Sequence, residues 1–564
     1  MIAPLPHLIV APIVLPMLTA IVLLLLGDQR RWKALLNVLS SAWGLLLALV
    51  LLHSVDTGDA TGAIGVYLPS NWDVPFGIVL AIDRLSALML VLTGIIGLSC
   101  VLFSLARWDR AGVHFHPLLQ IQLMGLNGAF LTGDLFNLFV FYEVLLAASY
   151  GLLLHGSGRA RVQSGLHYIA VNLVASSLFL IGTALIYGVT GTLNMADLSQ
   201  KIPHVAAADR GLLHAGAAIL SMAFFTKAAV WPLNFWLAPA YSAASAPVAA
   251  LFAIMTKVGV YTVLRLWTLL FSAHAGPSAL FGADVLIYGG LATLAFGALG
   301  SLASQRLGRL ASYSTVVSAG TLIVAIGFAQ TALTAGALFY LLSSTLAISA
   351  LFLLVELVER SRQMPPLLLA DEADELPFQH EPLKPAHDVN LDDEQHVVIG
   401  KVIPAAMAFL SLSFVACALL ISGLPPLSGF LGKFAMLSAL LGPLGTAAAS
   451  GAAAIAPTAW PALALIIGSG LMSMIALSRA GIRCFWAPQD RLEPRLRVVE
   501  CVPIGLLLGA CVLLTIGAGP VMRYAQSTAA ALHDPAQYVE AVMGARPIPG
   551  PAGDKTSAKA ALDP

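Results

Sequence analysis

Apolar runs, each about the length of a membrane crossing, follow one another along almost the whole chain and are separated by short polar connectors. A helix needs about 20 mostly apolar residues to cross the hydrocarbon core of a bilayer, and about fourteen stretches meet that requirement. They lie near 7–27, 34–53, 84–106, 115–132, 135–154, 165–188, 212–236, 246–270, 281–303, 310–329, 335–357, 403–441, 459–480 and 500–520. The first run has no basic segment before it and no A-x-A cleavage site, so it reads as an uncleaved first span. Residues 54–80 carry Asp56, Asp59 and Asp73 among glycine, proline and aromatic residues; they read as a loop outside the lipid, which a hairpin would suit. Residues 361–401 are rich in Pro, Asp, Glu and His and read as a polar insertion between two spans. The tail from Arg546 to Pro564 has the composition of a disordered segment. The pattern predicts an all-α polytopic membrane protein.

Composition agrees with the pattern. The 564 residues are 59% hydrophobic and only 10% charged, against about 25% charged in ordinary soluble domains, which excludes a soluble enzyme as the default. Lys+Arg 29 balance Asp+Glu 29, so net charge favours neither nucleic acid nor an acidic partner. The position of the charges is more informative, because short cytoplasmic loops collect Lys and Arg. With the N-terminus outside, the inner loops hold Arg30, Arg31, Lys33, Arg107, Arg110, Arg159, Arg161, Arg306 and Arg309. Arg360, Arg362, Lys384, Lys401, Arg483, Arg491, Arg495 and Arg497 follow on the same side. The opposite loops hold Lys201, Arg210 and little else before the tail, an alternation that supports the count of spans and predicts both termini outside. Cys100, Cys417, Cys484, Cys501 and Cys511 are scattered without CxxC or zinc-ligand spacing and read as small hydrophobes.

A charged side chain in the middle of a membrane helix costs at least about 2.5–3.5 kcal/mol, so such groups face polar interiors and mark ion or proton pathways. Four stand far from the predicted helix ends: Glu143 in LTGDLFNLFVFYEVLLAASYGLL, Lys227 in MAFFTKAAVWPLNFWL, Lys257 in LFAIMTKVGVYTVLRL and Lys433 in GLPPLSGFLGKFAMLSALL. Two of the lysines adjoin predicted helix breaks. Pro232 removes a backbone donor just after Lys227. Gly423, Pro425 and Pro426 precede Lys433 in a stretch too long for one straight span. Paired broken helices in corresponding halves of a transporter point to inverted repeats with the transport site at the breaks. The fourth to eighth spans (113–272) and the ninth to thirteenth (273–485) are therefore read as two inverted five-helix repeats, with the seventh and twelfth spans broken. Residues 1–112 contribute three preceding spans, and 486–564 a final span and tail. Low dielectric disfavours a charged lysine and a nearby carboxylate favours it, so movement of Glu143 can switch Lys227 between holding and releasing a proton. Lys257 would relay that proton through water toward Lys433.

Other polar residues have plainer readings. A single intramembrane lysine can be a structural partner for a carboxylate or a carbonyl, a reading that applies to Lys257 taken alone. Asp83-Arg84 reads as a helix cap and interfacial anchor, and Asp134 as interfacial. Glu356 and Arg360 have the spacing of an exposed i,i+4 ion pair, and Arg265 lies where it can snorkel. His380, His387 and His396 read as parts of a solvated loop, with no metal expected. The string GSGRARVQSG is not a nucleotide-binding fingerprint, and no cofactor is expected.

At these residues the sequence resembles the antiporter-like membrane subunits shared by respiratory complex I, membrane-bound hydrogenases and Mrp/Pha-type cation/proton antiporters. The resemblance covers nearly the whole chain, most clearly 80–350 and 400–440, and TGDLFNLFVFYEVLLAASY looks most like the D subunit of the Mrp/Pha type. It implies that Glu143, Lys227, Lys257 and Lys433 are proton-path residues and that the partners are subunits of the A/B, C, E, F and G types. It also implies H⁺ and Na⁺ or K⁺ as the transported ions. The chain departs from the family at Tyr241, where histidine is common, and at Ser318 and Ser349, where many relatives carry histidine and lysine. Either hydroxyl-held water bridges those positions or the path of this subunit differs in its second half.

Three functions compete on this reading. The favoured one is a D-type subunit that moves protons in exchange for Na⁺ or K⁺. The runner-up is a proton-pumping subunit of an NADH:quinone oxidoreductase or a hydrogenase, which would require electron transfer. A structural scaffold predicts that Lys227→Ala and Glu143→Ala leave transport intact.

Overall fold

The computed structural model describes residues 6–27, 29–58, 64–112, 114–156, 158–362, 405–442, 457–486 and 496–548. The polar insertion at 361–401 and the tail beyond Ile548 lie essentially outside them, and so do His380, His387 and His396. The described chain is overwhelmingly helical, as apolar runs without water to bind their backbone groups must be. The first part holds α1 (Ala11–Leu25), α2 (Arg30–Thr57), α3 (Arg84–Ser104), α4 (Phe115–Leu131), α5 (Leu135–Leu154), α6 (Arg159–Thr190) and the short α7 (Met195–Lys201). Then come α8 (Ala207–Lys227), the short α9 (Leu237–Ala243), α10 (Ala246–Leu270), α11 (Ala283–Ala303), α12 (Leu307–Gly327) and α13 (Thr331–Arg362). Last are α14 (Ala405–Ser422), α15 (Ser428–Leu441), α16 (Ala459–Gly481), α17 (Val498–Ile516), α18 (Ala518–His533) and α19 (Ala536–Met543). Among the described residues, eleven helical segments are long and apolar enough to cross a membrane, and Ala11–Leu25 and Ser428–Leu441 are shorter apolar helices.

The helices fall on the predicted stretches with informative differences. The stretch at 212–236 stops being helical at Lys227, and the stretch at 403–441 divides into α14 and α15. The loop after α2 contains a small antiparallel hairpin, β1 (Gly65–Tyr67) against β2 (Leu80–Ile82), with Val66 opposite Ala81. This sheet qualifies the all-α expectation. After α17 the chain continues into α18 and α19, which the apolar-run reading passed over because their polar and apolar residues alternate at helical period instead of forming a run.

Burial separates an inner set of helices from an outer one. Over their most apolar windows α10 is wholly buried and α12 and α13 are 94% buried, whereas α17 is 28% buried. The outer helices leave Leu513, Ile516, Leu412 and Trp43 exposed, as lipid-facing or partner-facing positions should be. α10 packs against α3, α8, α12 and α13, so Lys257 sits on a helix enclosed by other helices.

Candidate functional site

Lys227 is the last residue of α8. The break begins immediately after it: Ala228 N–H still bonds Phe224 O at 2.7 Å, Ala229 turns with φ 55°, and helical structure resumes only at Leu237. Pro232 lies within this connection and not at its start, and Trp231 N–H is satisfied by Thr293 Oγ1 at 2.8 Å. The break is pressed against α10 at Gly259, where any Cβ would stand 2.6 Å from Ala228 N. The Lys227 ammonium is buried and has no hydrogen-bond partner among the described residues; it sits 4.8 Å from the centre of the Tyr142 ring. Tyr142 is itself held by a 2.7 Å bond to Thr262 on α10. Glu143, the next residue of α5, is half-buried and accepts a hydrogen bond from Ser176 of α6. No ion pair joins it to Lys227; the two are related through Tyr142, whose ring lies beside the ammonium. A lysine at a helix C-terminus also meets the negative end of the helix dipole.

Lys257 is completely buried in the middle of α10 and donates to Ser318 Oγ of α12 at 2.7 Å. Ser318 is 2.9 Å from Ser344 Oγ of α13, and the Tyr340 hydroxyl faces the same group. Next to Lys257, Thr256 shares a 2.7 Å hydrogen bond with Tyr241 of α9, whose hydroxyl also donates to Phe252 O at 2.8 Å. Ser349 is different. Its hydroxyl donates to Ala250 O at 2.9 Å and so ties α13 to the backbone of α10.

Lys433 lies on α15, after the second break, but its ammonium reaches back to the end of α14. It donates to Ser422 O at 2.9 Å and to Ile421 O at 3.2 Å, two carbonyls left free where that helix stops. Gly423 has φ 76°, and a Cβ there would meet the Lys433 side chain at 2.5 Å, so only glycine allows this approach. Pro425 and Pro426 fill the connection, and α15 starts at Ser428, whose hydroxyl lies 2.8 Å from that of Ser343 on α13.

At the start of α10 a cavity of ≈ 780 Å³ is lined by Arg107, Arg159, Arg161, Tyr241, Glu356 and Arg360, among others. Two expectations fail here. Glu356 does not pair with Arg360: it accepts from Trp108 Nε1 at 2.8 Å, while Arg360 forms a two-pronged pair with the buried Glu500 at 2.7 and 2.9 Å. The i,i+4 spacing left both side chains free to choose, and a neighbouring helix offered Arg360 the better-fitting carboxylate. Arg265 does not snorkel either. It is 6% exposed and grips both oxygens of Asp83 at 2.6 Å. Asp83 is the helix cap the sequence suggested, accepting from Ser86 N at 2.9 Å, and Asp134 caps α5 in the same way through Asn137 N.

Sequence reasoning missed the hydroxyls of Thr256, Ser343, Ser344 and Ser428. The run Ser343-Ser344-Thr345 in an otherwise apolar helix was the available signal.

The sequence model of the family described as NADH:quinone oxidoreductase/Mrp antiporter, TM matches residues 132–449, which include all four ionisable positions. The chain is 51% identical over 544 residues to the D subunit of a probable K(+)/H(+) antiporter of Rhizobium meliloti, covering 96% of this chain and 98% of the relative. The chain belongs to the NADH:quinone oxidoreductase/Mrp antiporter family, among its D subunits. The D subunit of a Na(+)/H(+) antiporter of Alkalihalophilus pseudofirmus is 30% identical over 543 residues, covering 95% of this chain and 99% of that one. The fold is that of a chain in the Mrp complex from Dietzia sp., with a TM-score of 0.79 at 24% identity over 96% of this chain and all of the other. Membership of the D subunits thus accompanies a core in which Lys227 and Lys433 stand at helix breaks and Lys257 on the most buried helix.

Proposed function

We propose that this chain moves protons through Glu143, Lys227, Lys257 and Lys433 in exchange for Na⁺ or K⁺, as a D-type subunit of a multisubunit antiporter in a bacterial inner membrane. The observation that carries the reading is Lys257: a lysine with no exposed surface, on the most buried helix, whose ammonium hydrogen-bonds, among the described residues, only the hydroxyl of Ser318. Burying such a group has no packing advantage over leucine. Its neighbours form a graded series. Glu143 acts on Lys227 by charge, Lys257 adjoins the Ser318–Ser344 hydroxyls, and Ser343–Ser428 lies beside the second break. Water between these groups completes the path, and the hydroxyls stand where an ionisable residue would otherwise be needed. Tyr241 and Thr256 link Lys257 toward the large arginine-lined cavity, while Ser349 serves the α10–α13 contact.

The same reading takes the chain as fourteen spans with inverted repeats at 113–272 and 273–485 and both termini outside. In support, α10 runs from the arginine-lined cavity at Ala246 to the Asp83 region near Leu270. The helices α18 and α19 lie at the Asp83 end. That arrangement keeps the arginines on one side and the C-terminal helices on the other.

The test uses everted membrane vesicles carrying the complete assembly, energised to an acid interior. Addition of Na⁺ or K⁺ without NADH or quinone should dissipate ΔpH, and Lys257→Ala should abolish the response. A response that requires electron transfer would favour a proton-pumping oxidoreductase subunit instead. Unchanged exchange in Lys257→Ala would remove the residue from the path.

A further inference from the structure

The two ends of helix α10 are open in different ways. At its start lies the cavity of ≈ 780 Å³; at its last turn Trp267, Thr268 and Phe271 line one of ≈ 1120 Å³, but the space beside Asp83, Arg265 and Thr268 measures only ≈ 30 Å³, room for about one water. Yet a polar stripe leads toward that second end. Lys257, Tyr261 and Arg265 follow one another at i, i+4 and i+8, and all three are buried. Tyr261 donates to Phe130 O at 2.8 Å and lies 3.4 Å from Ser86 Oγ, which Arg265 also reaches at 3.2 Å. The stripe would conduct from Lys257 to the surface if nothing closed it.

What closes it is a cation that cannot discharge. The Arg265 guanidinium keeps its proton at any physiological pH. Asp83 fixes it with two 2.6 Å bonds, and it lies between the rings of Tyr261 at 5.6 Å and Tyr538 at 5.3 Å. Tyr538 belongs to α19, and the chain on either side of α19 is tied down, through α18 before it and Ile548 after it. Tyr524 donates to Arg84 O at 2.7 Å, His533 meets Thr334 at 3.0 Å, and Asn71 exchanges two bonds with Ile548 at 3.0 and 2.7 Å. With its carboxylate locked to a guanidinium that cannot release a proton, a constriction of this size passes neither protons nor alkali cations.

We propose that Arg265, positioned by Asp83 and covered by Tyr538, is an electrostatic barrier that closes the Lys257 path at the C-terminal end of α10 against protons and alkali cations. The inference rests on the reading of Lys257 as a proton carrier. Asp83 acts through the arginine, and the C-terminal helices act as the cover that keeps water from the pair.

The experiment measures passive decay of an imposed ΔpH in vesicles carrying the complete assembly, without added Na⁺ or K⁺. Arg265→Gln should accelerate decay about tenfold, the factor a unit charge exerts about 12 Å from Lys257 at an effective dielectric of about 20. The double variant Arg265→Gln/Lys257→Ala should return to the wild-type rate, because the leak runs through Lys257. Vesicles of Arg265→Gln that hold the chain at wild-type amounts and stay tight would overturn the proposal, as would a leak that survives in the double variant. If Arg265→Gln fails to insert, Tyr538→Ala, which leaves the ion pair in place, takes over: a faster leak supports the barrier and a tight vesicle refutes it. The two readings fail separately. Unchanged exchange in Lys257→Ala strikes the proton path, whereas lost exchange in Lys257→Ala with a tight Arg265→Gln strikes only the barrier.

Discussion

The break after α8 and the break between α14 and α15 both put a lysine ammonium at the C-terminal end of a helix, but they hold it differently. At the first, Lys227 ends its own helix, lies over the Tyr142 ring and has no hydrogen-bond partner among the described residues. At the second, Lys433 comes from the following helix and is tied to the Ile421 and Ser422 carbonyls. The first lysine has a carboxylate, Glu143, one residue along α5 from the tyrosine that faces it; among the described residues no acidic side chain forms an ion pair with the second. A group with few ties can change partner at little cost, while one that satisfies two buried carbonyls leaves them unpaired when it moves. The Lys227 end is therefore suited to switching and the Lys433 end to holding.

The largest effect expected is a split between the two lysines. Lys227→Ala should abolish exchange while the chain remains at wild-type amounts in the membrane. Lys433→Ala should abolish exchange and also lower the amount of chain, since each buried carbonyl left unpaired costs about 1–3 kcal/mol. Equal membrane levels of the two variants, measured by quantitative immunoblot, would erase the distinction between the breaks.

Next in size is Ser318→Ala, which removes the acceptor of Lys257. Hydrogen bonds to charged groups contribute about 1.5–3 kcal/mol, so exchange should slow by roughly tenfold or more. A normal rate would show that the two breaks communicate without Ser318. Gly423→Ala comes third. The positive φ costs about 1–3 kcal/mol in a residue with a Cβ, and the added methyl displaces Lys433. A lower melting temperature of the purified assembly, together with a several-fold loss of exchange, is expected; an unchanged melting temperature would contradict the strained turn.

Tyr142 sharpens the first break on a finer scale. Tyr142→Phe keeps the aromatic face and loses only the Thr262 bond, whereas Tyr142→Leu also loses a cation–π contact worth about 0.5–2 kcal/mol. Exchange should fall more in the leucine variant, and the reverse order would show that the ring does not hold the ammonium. The smallest effect belongs to Ser349→Ala, where exchange should stay within about twofold because the hydroxyl serves a backbone carbonyl. A strong loss there would return Ser349 to the proton path.

Much of this was legible in the residues. The apolar runs located the helices because a backbone in lipid has no other way to satisfy its hydrogen bonds. Glu143, Lys227, Lys257 and Lys433 stood out because charge is rare in such runs. The pairing of charges was not legible. Arg265 and Asp83 are separated by 182 positions, and Arg360 and Glu500 by 140. Periodicity along one helix says nothing about which neighbour it meets, so Arg265 read as free to snorkel and Arg360 as the partner of Glu356.

By itself the sequence determined where helices form, where they break and which side chains have an electrostatic reason to be unusual. Those are properties of local composition and backbone chemistry. Only the tertiary structure decided that Lys257 meets Ser318 and not Ser349, that Lys433 reaches backward across its break, and that the C-terminal helices cover Arg265. The physical reason is that hydrogen bonds and charge pairs act over a few ångströms, and distances on that scale between different helices are set by packing.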